Sequence, residues 1–367
     1  MSSPSLKVGD FTISDDSDCF VIAEIGHNHQ GDLEKCKEMF AVAKGMGADA
    51  VKLQKRDNRQ LFTRAMYDSP YEHRNSYGAT YGEHRDALEF DMSGYRELKR
   101  YAKELGILFF STAFDIPSAD FLEELDMPAV KVASGDVNNL PLLERIAKMG
   151  KPIFLSTGGA QMDDVVRAHD TIMAINTQLC ILQCTSGYPA EFSELNLRVI
   201  ETFKEQFPNC VIGLSSHDSG IAMASVGFAL GARVVEKHFT LNRALKGTDH
   251  AFSLEPDGLR KLVRDLRRAR VALGDGVKRR YPSEEKPLYK MGKKIVAARD
   301  LPAGHVITAS DLVMKSPNDG MPPSDLHRVL GRATSRAIKA DDNIETVLSD
   351  LSLVPEMAPA AKKRAKA

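Results

Sequence analysis

Two histidines, His217 and His238, close two short apolar runs, VIGLSSH and RVVEKHFTL. Alternate residues of a strand share a face, so Ser215 lies with His217 and Glu236 with His238, while Ile212, Leu214, Val235 and Phe239 point the other way. The same rule pairs Lys52 with Gln54 in AVKLQK and opposes Glu24 to Val21, Ala23 and Ile25 in FVIAEIG. Two imidazoles on neighbouring strands, with other coordination positions left to water or substrate, suit an open site for Mn²⁺ or Mg²⁺, and less well Zn²⁺. They equally suit two hydrogen-bonded structural histidines. Glu236 would serve to orient one of the rings.

A second set comprises Lys52, Lys131, Ser134, Ser156, Thr157, Ser186 and Ser215, each near the polar end of a run. Lysines and hydroxyls around a concave mouth suit a phosphate and a carboxylate. Each serine taken alone reads as readily as a helix cap, but lysine pointing inward is rarely left without a partner. Lys52, Lys131 or Lys237 could instead form a Schiff base; the two histidines favour a Lewis acid over that chemistry. Burying these charges unpaired would carry a large desolvation cost, so they require a ligand, an ion or one another.

Eight runs must position these groups: 20–26, 49–55, 107–113, 128–136, 152–158, 179–186, 211–217 and 233–241. They alternate with helical patterns, such as Leu33, Cys36, Met39, Phe40 and Ala43, which indicates βα units and a parallel sheet. Eight units predict a closed (β/α)8 barrel, whose site lies at the strand ends. The barrel is expected over 1–272, a linker over 273–292, a small β-rich domain over 293–352 and a disordered tail over 353–367. Residues 56–92 form a long, polar, tyrosine-rich connection, a pattern common in lids and binding loops; a surface excursion or dimer contact is the plainer alternative.

The formal charge of -1 and pI near 6.8 argue against nucleic acid or an anionic membrane as partner. The apolar stretches are too short to span a bilayer, and MSSPSLKVGD lacks the pattern of a secretion signal. The five cysteines include no C-x-x-C pair, which argues against a disulfide framework or a zinc knuckle. Cys180 and Cys184 are expected to be apolar packing. A cytoplasmic enzyme fits these properties.

Several segments, in order, resemble the sialic acid (N-acylneuraminate) synthase family: AEIGHNHQGD, KLQK, TYGEHRDALEF, KVASGD, STGG, LQCTSGYPA, GLSSHDSG, EKHFTL and KGTDHAFSLEP. The resemblance implies a TIM barrel followed by an SAF (antifreeze-like) domain. It also implies condensation of phosphoenolpyruvate with N-acetylmannosamine or its 6-phosphate, with phosphate released by C–O cleavage. By that likeness His217 and His238 hold the metal, and Glu24 stabilises a cation at C2 or takes the proton of the attacking water. Lys52, Gln54, Lys131, Ser134, Ser156, Ser186 and Ser215 hold phosphate and carboxylate, while Asp136, Tyr188 and Asp249 face the sugar. A domain-swapped homodimer is part of the same implication. ASGD, the TYGEH segment, and Ser316 in place of the arginine of bacterial members are closer to the animal-type pattern. His305, Lys315 or Arg328 would then be left to recognise the acyl group. The alternatives are a legionaminic- or pseudaminic-type synthase, a Schiff-base pyruvate aldolase, and a degenerate barrel that only binds sugar.

Overall fold

Period-two alternation in the eight runs becomes two apolar layers on opposite sides of one closed sheet. The computed structural model describes residues 3–348. Its barrel strands are β3 (Phe20–Gly26), β4 (Ala50–Lys55), β5 (Leu108–Ala113), β6 (Val130–Val132), β7 (Ile153–Ser156), β8 (Leu179–Cys184), β9 (Val211–Ser216) and β10 (Val234–His238), all parallel and in that order, with β10 closing on β3. A hairpin, β1 (Ser5–Val8) and β2 (Phe11–Ser14), precedes them. The expected strand over 128–136 shrinks to three residues, because Ser134–Asp136 turn into a 3₁₀ helix.

Outward residues such as Val21, Val51, Phe109, Leu155, Ile181 and Val235 pack against the surrounding helices in one large core. These helices are α1 (Leu33–Gly45), α2 (Asn58–Leu61), α3 (Arg64–Tyr67), α4 (Tyr81–Asp86), α5 (Met92–Leu105), α6 (Ile116–Glu124), α7 (Leu140–Lys148), α8 (Met162–Met173), α9 (Val199–Gln206), α10 (Ala222–Ala229) and α11 (Pro256–Leu273). Several starts are set by acceptors in the sequence: Asp32, Asp91 and Asp115 each take the backbone N–H three residues on. Gly106 ends α5 in the left-handed conformation, φ 67°.

Inward residues of the lower half form a second core: Phe20, Ile22, Ala50, Phe110, Phe154, Cys180, Leu182 and Val234. Leu6, Val8 and Ile13 of the hairpin belong to the same cluster, so β1–β2 plugs the base of the barrel. The hairpin falls within the expected 1–272, but the eight runs read from the sequence begin only at Phe20 and did not anticipate it.

The described residues form two compact units, one up to Asp275 and one from Gly276 onward. The second unit contains α12 (Glu285–Met291), within the stretch expected as linker, and an antiparallel pair, β11 (Lys294–Ala297) and β12 (Leu312–Lys315). Ile295, Leu301, Ile307, Val329, Ile338 and Ile344 form its core. Asp311, 1 % exposed, ties that core to its loops by accepting from Thr308 and from His305 Nε2 at 2.8 Å. Residues 349–352 of the expected β-rich domain, and the expected tail over 353–367, lie outside the described residues.

Candidate active site

Above the apolar base, the inward positions of the same strands turn polar. Glu24 (β3), Lys52 (β4), Thr112 (β5), Lys131 (β6), Ser156 (β7), Ser215 (β9) and Glu236 (β10) line a cavity of about 660 Å³ at the C-terminal ends of the strands. The charges are largely matched against one another. Lys52 Nζ lies 2.7 Å from Glu24 Oε2 and 3.6 Å from Glu236 Oε1, and donates to Thr112 Oγ1 at 2.8 Å. Lys131 Nζ stands 3.8 Å from the same Glu236 oxygen, and Gln54 Nε2 donates to Glu24 Oε1 at 2.7 Å.

Burial raises the Glu24 carboxyl above its ordinary value, with Lys52 opposing that rise. Glu236 is equally buried, yet Lys131 and Lys52 together hold it below the usual carboxylate range. Burial lowers the Lys131 ammonium. Ser156 Oγ and Glu236 Oε2 are buried and find no hydrogen-bond partner among the described residues. Such atoms are costly unless a ligand supplies the missing bond.

Close backbone approach completes the hydroxyl cup. Gly158 N–H donates to Ser134 Oγ at 2.9 Å, and a Cβ at Gly158 would meet Ser186 Oγ at 2.1 Å. A side chain there would close the cup, which accounts for the glycine after Ser156 and Thr157.

On the β9–β10 side the two imidazoles lie 5.3 Å apart, centroid to centroid, under Tyr188 and Phe252. His217 Nδ1 donates to the Thr185 carbonyl at 2.9 Å, which in the neutral ring leaves the lone pair on Nε2. Burial disfavours the His217 cation, but Cys184 and that carbonyl more than offset it and raise its value. Burial drives His238 down to about 3, and its Nδ1 is buried without a hydrogen-bond partner, 3.7 Å from Asp249 Oδ2. A neutral, unsatisfied imidazole beside a second with a lone pair fits a divalent cation. Among the described residues no group of three or more His, Cys, Asp or Glu side chains forms a metal-binding set. His217 and His238 are the two side chains at this end of the mouth that could hold such an ion.

Residues 56–92 fold over the mouth as α2, α3 and α4 with an intervening loop, and His73, Asn75 and Arg85 from this segment line the cavity. It is tied to the loop after β10: Gly247 N–H donates to Asn75 Oδ1 at 3.2 Å, and Tyr77 OH donates to the Lys246 carbonyl at 2.7 Å. The lid-like expectation is thus realised as part of the cavity wall.

Twelve of the thirteen residues expected at the site line this one cavity: Glu24, Lys52, Gln54, Lys131, Ser134, Ser156, Ser186, Tyr188, Ser215, His217, His238 and Asp249. Asp136 does not; its carboxylate accepts from Asn139 Nδ2 at 3.1 Å, because the 3₁₀ turn swings it toward α7. Thr157 is also withdrawn, donating to the Leu182 carbonyl at 2.9 Å. Lys237 faces outward and pairs with Asp218 at 2.9 Å, which removes it as a Schiff-base candidate in the mouth. Glu236 contacts the two lysines rather than orienting a histidine.

Cys180 packs in the base as expected, whereas Cys184 lines the cavity with its sulfur 3.9 Å from His217 Nδ1. Thr112, Arg56 and Arg85 were missed. Alternation from Phe110 would have found Thr112; Arg85 stands on a short helix whose placement no local pattern reveals.

Fold and site together define a (β/α)8 barrel built to hold anionic substrate beside paired imidazoles. The chain belongs to the NeuB family, whose model matches residues 39–278, and an SAF domain model matches residues 294–346. It is 43% identical over 333 residues to human N-acetylneuraminate-9-phosphate synthase, covering 90% of this chain and 93% of that relative. It is 35% identical over 328 residues to N,N'-diacetyllegionaminic acid synthase of Campylobacter jejuni, covering 88% and 98%. The crystal structure of N-acetylneuraminic acid (sialic acid) synthetase from Leptospira borgpetersenii superposes with a TM-score of 0.69 at 31% identity, over 78% of this chain and 95% of that one.

Proposed function

We propose that this chain condenses phosphoenolpyruvate with N-acetylmannosamine or its 6-phosphate, yielding a nine-carbon 2-keto sugar acid or its 9-phosphate. The observation that carries this reading is the convergence of Glu24, Lys52, Lys131, His217 and His238 on one cavity, with unsatisfied Ser156 and Glu236 atoms within it. The likeness to the human 9-phosphate synthase favours the phosphorylated sugar over the free sugar, and favours this product over the legionaminic and pseudaminic types.

In this reading Lys131, Lys52 and the hydroxyls of Ser134, Ser156, Ser186 and Ser215 hold the phosphate and carboxylate of phosphoenolpyruvate by charge-assisted hydrogen bonds. An incoming anion would also relieve the mutual pairing of Lys52 with Glu24. The sugar aldehyde lies toward the imidazoles, its hydroxyls facing Tyr188 and Asp249. The C3–C1 bond forms as the enol electrons move to the aldehyde carbon, whose oxygen gains a proton. Water adds at C2, and the C2–O bond to phosphate breaks to give the ketone and inorganic phosphate. Glu24, its basicity raised by burial, takes the water proton or steadies positive charge at C2. His217 and His238 would hold Mn²⁺ or Mg²⁺, which when bound supplies Lewis acidity to the aldehyde oxygen.

Release of inorganic phosphate from phosphoenolpyruvate, dependent on either sugar, tests the proposal; no release with any hexosamine under Mn²⁺ or Mg²⁺ would defeat it. Trapping of pyruvate by borohydride, with activity surviving EDTA, would favour a Schiff base instead. A domain-swapped homodimer and a cytoplasmic location belong to the same reading, and sedimentation and cell fractionation test them.

A further inference from the structure

The mouth contains a second cationic group, which meets the phosphoenolpyruvate site through the bond that Arg56 Nη2 donates to Gln54 Oε1 at 2.6 Å. Arg56, one residue beyond β4, and Arg85, in α4, both line the cavity and flank His27: Arg56 Nη1 is 2.9 Å from His27 Nε2, and Arg85 Nη1 is 3.3 Å from His27 Nδ1. Burial and the two guanidiniums hold His27 well below its ordinary value. An imidazole carries no negative charge, so this ring offsets neither guanidinium.

Carboxylates are scarce around the pair. Glu89 lies 3.9 Å from Arg56, but its other oxygen is taken by Lys55 at 2.9 Å. No carboxylate of the described residues lies within 4.0 Å of Arg85, whose remaining bonds run to the Tyr81 hydroxyl. Asp249 acts on Arg85 only from beyond that distance, and is already engaged with His238. Asp86 is occupied by Asn58 Nδ2 at 2.8 Å and by Tyr67.

Among the described residues Glu89 is thus the one carboxylate within 4.0 Å of either arginine, and Asp249, across the cavity wall, acts on both only from farther away. The Arg56 side chain is only 8% exposed and stacked over Phe114 at 3.7 Å, so water compensates it poorly. Burial, with Arg85 beside it, lowers its value to about 10.

Position separates this pair from the hydroxyl cup. In the order of strands around the barrel, β4 stands four places from β8, the strand that precedes Ser186. Phosphoenolpyruvate brings two anionic groups, which the lysines and serines match. A third anion, reached by the far end of a sugar whose aldehyde lies at the imidazoles, is what the arginines lack. We propose that Arg56 and Arg85 bind the phosphate monoester of the acceptor sugar and so make the enzyme selective for the phosphorylated acceptor. This rests on the condensing function proposed above. Planar guanidiniums suit a phosphate dianion through paired N–H donors.

The test compares kcat/KM for N-acetylmannosamine 6-phosphate and for N-acetylmannosamine in wild type, Arg85→Gln, Arg85→Lys and Arg56→Gln. The expected result is a phosphosugar preference that falls at least tenfold in both glutamine variants, through a higher KM for the phosphosugar, and recovers in part in Arg85→Lys. An unchanged preference, or an equal loss on both sugars, overturns the assignment. Should wild type release no phosphate with either sugar, the condensing function falls, and calorimetric titration with N-acetylmannosamine 6-phosphate alone decides the subsite. Binding weakened tenfold or more in Arg85→Gln supports it; equal or undetectable binding in wild type and variant overturns it.

Discussion

The base and the mouth of the barrel are built from the same strands at the same alternating positions, yet they follow opposite rules. At the base, Phe20, Phe110 and Phe154 stack with ring centroids 5.3–6.2 Å apart, sealed by the hairpin. One turn of the pleat higher, Glu24, Lys52, Lys131 and Glu236 occupy the corresponding inward sites, almost without solvent. The base gains from burial directly. The mouth bears desolvation that its internal pairing only partly offsets, as expected where function rather than stability selects the residues. The contrast shows how one alternation pattern supplies both a foundation and a reactive surface.

The contrast breaks most clearly in activity. Lys131→Ala and Glu24→Gln should each lower kcat/KM by about 10²–10⁴-fold, the range for a lost charge-stabilising or proton-transferring group, measured as phosphate release. A correctly folded variant with near-normal turnover would remove that residue from the chemistry. At the base, Phe110→Ala should cost about 3–5 kcal/mol of stability by cavity formation, read by denaturant unfolding of the full chain.

A subtler comparison uses the buried pair. Lys52→Met alone strands Glu24 and should destabilise by about 3–5 kcal/mol, whereas Glu24→Gln with Lys52→Met should recover most of that loss or exceed wild type. A double variant as unstable as the single one would mean that the mouth charges support the fold as the base aromatics do.

The smallest effect lies at the N-terminal end of β4, where Asp49 accepts from Val21 N–H at 2.8 Å and burial raises its carboxyl to about 6. Its folded value exceeds its unfolded one, so protonation favours the native state. The contribution is full below about pH 4 and is lost as pH rises through about 6, amounting to about 1–2 kcal/mol after allowance for solvent. Asp49→Asn should flatten that part of the stability profile; an unchanged profile would mean the carboxyl titrates alike in both states.

Alternation and run length alone determined the eight strands, the barrel, and which side chains face inward on β3, β4, β9 and β10, because a strand's side-chain period is a local property. That is why Glu24, Lys52, His217 and His238 were legible together. The resemblance of ordered motifs added Tyr188 and Asp249, which lie in loops where no period applies. Tertiary structure alone decided the rest. A 3₁₀ turn moved Asp136 away from the mouth, and the N-terminal hairpin became the floor of the barrel. It also brought Arg85 beside Arg56, 29 positions apart in the chain, because the distance between them depends on how a long connection packs rather than on any repeat in the sequence.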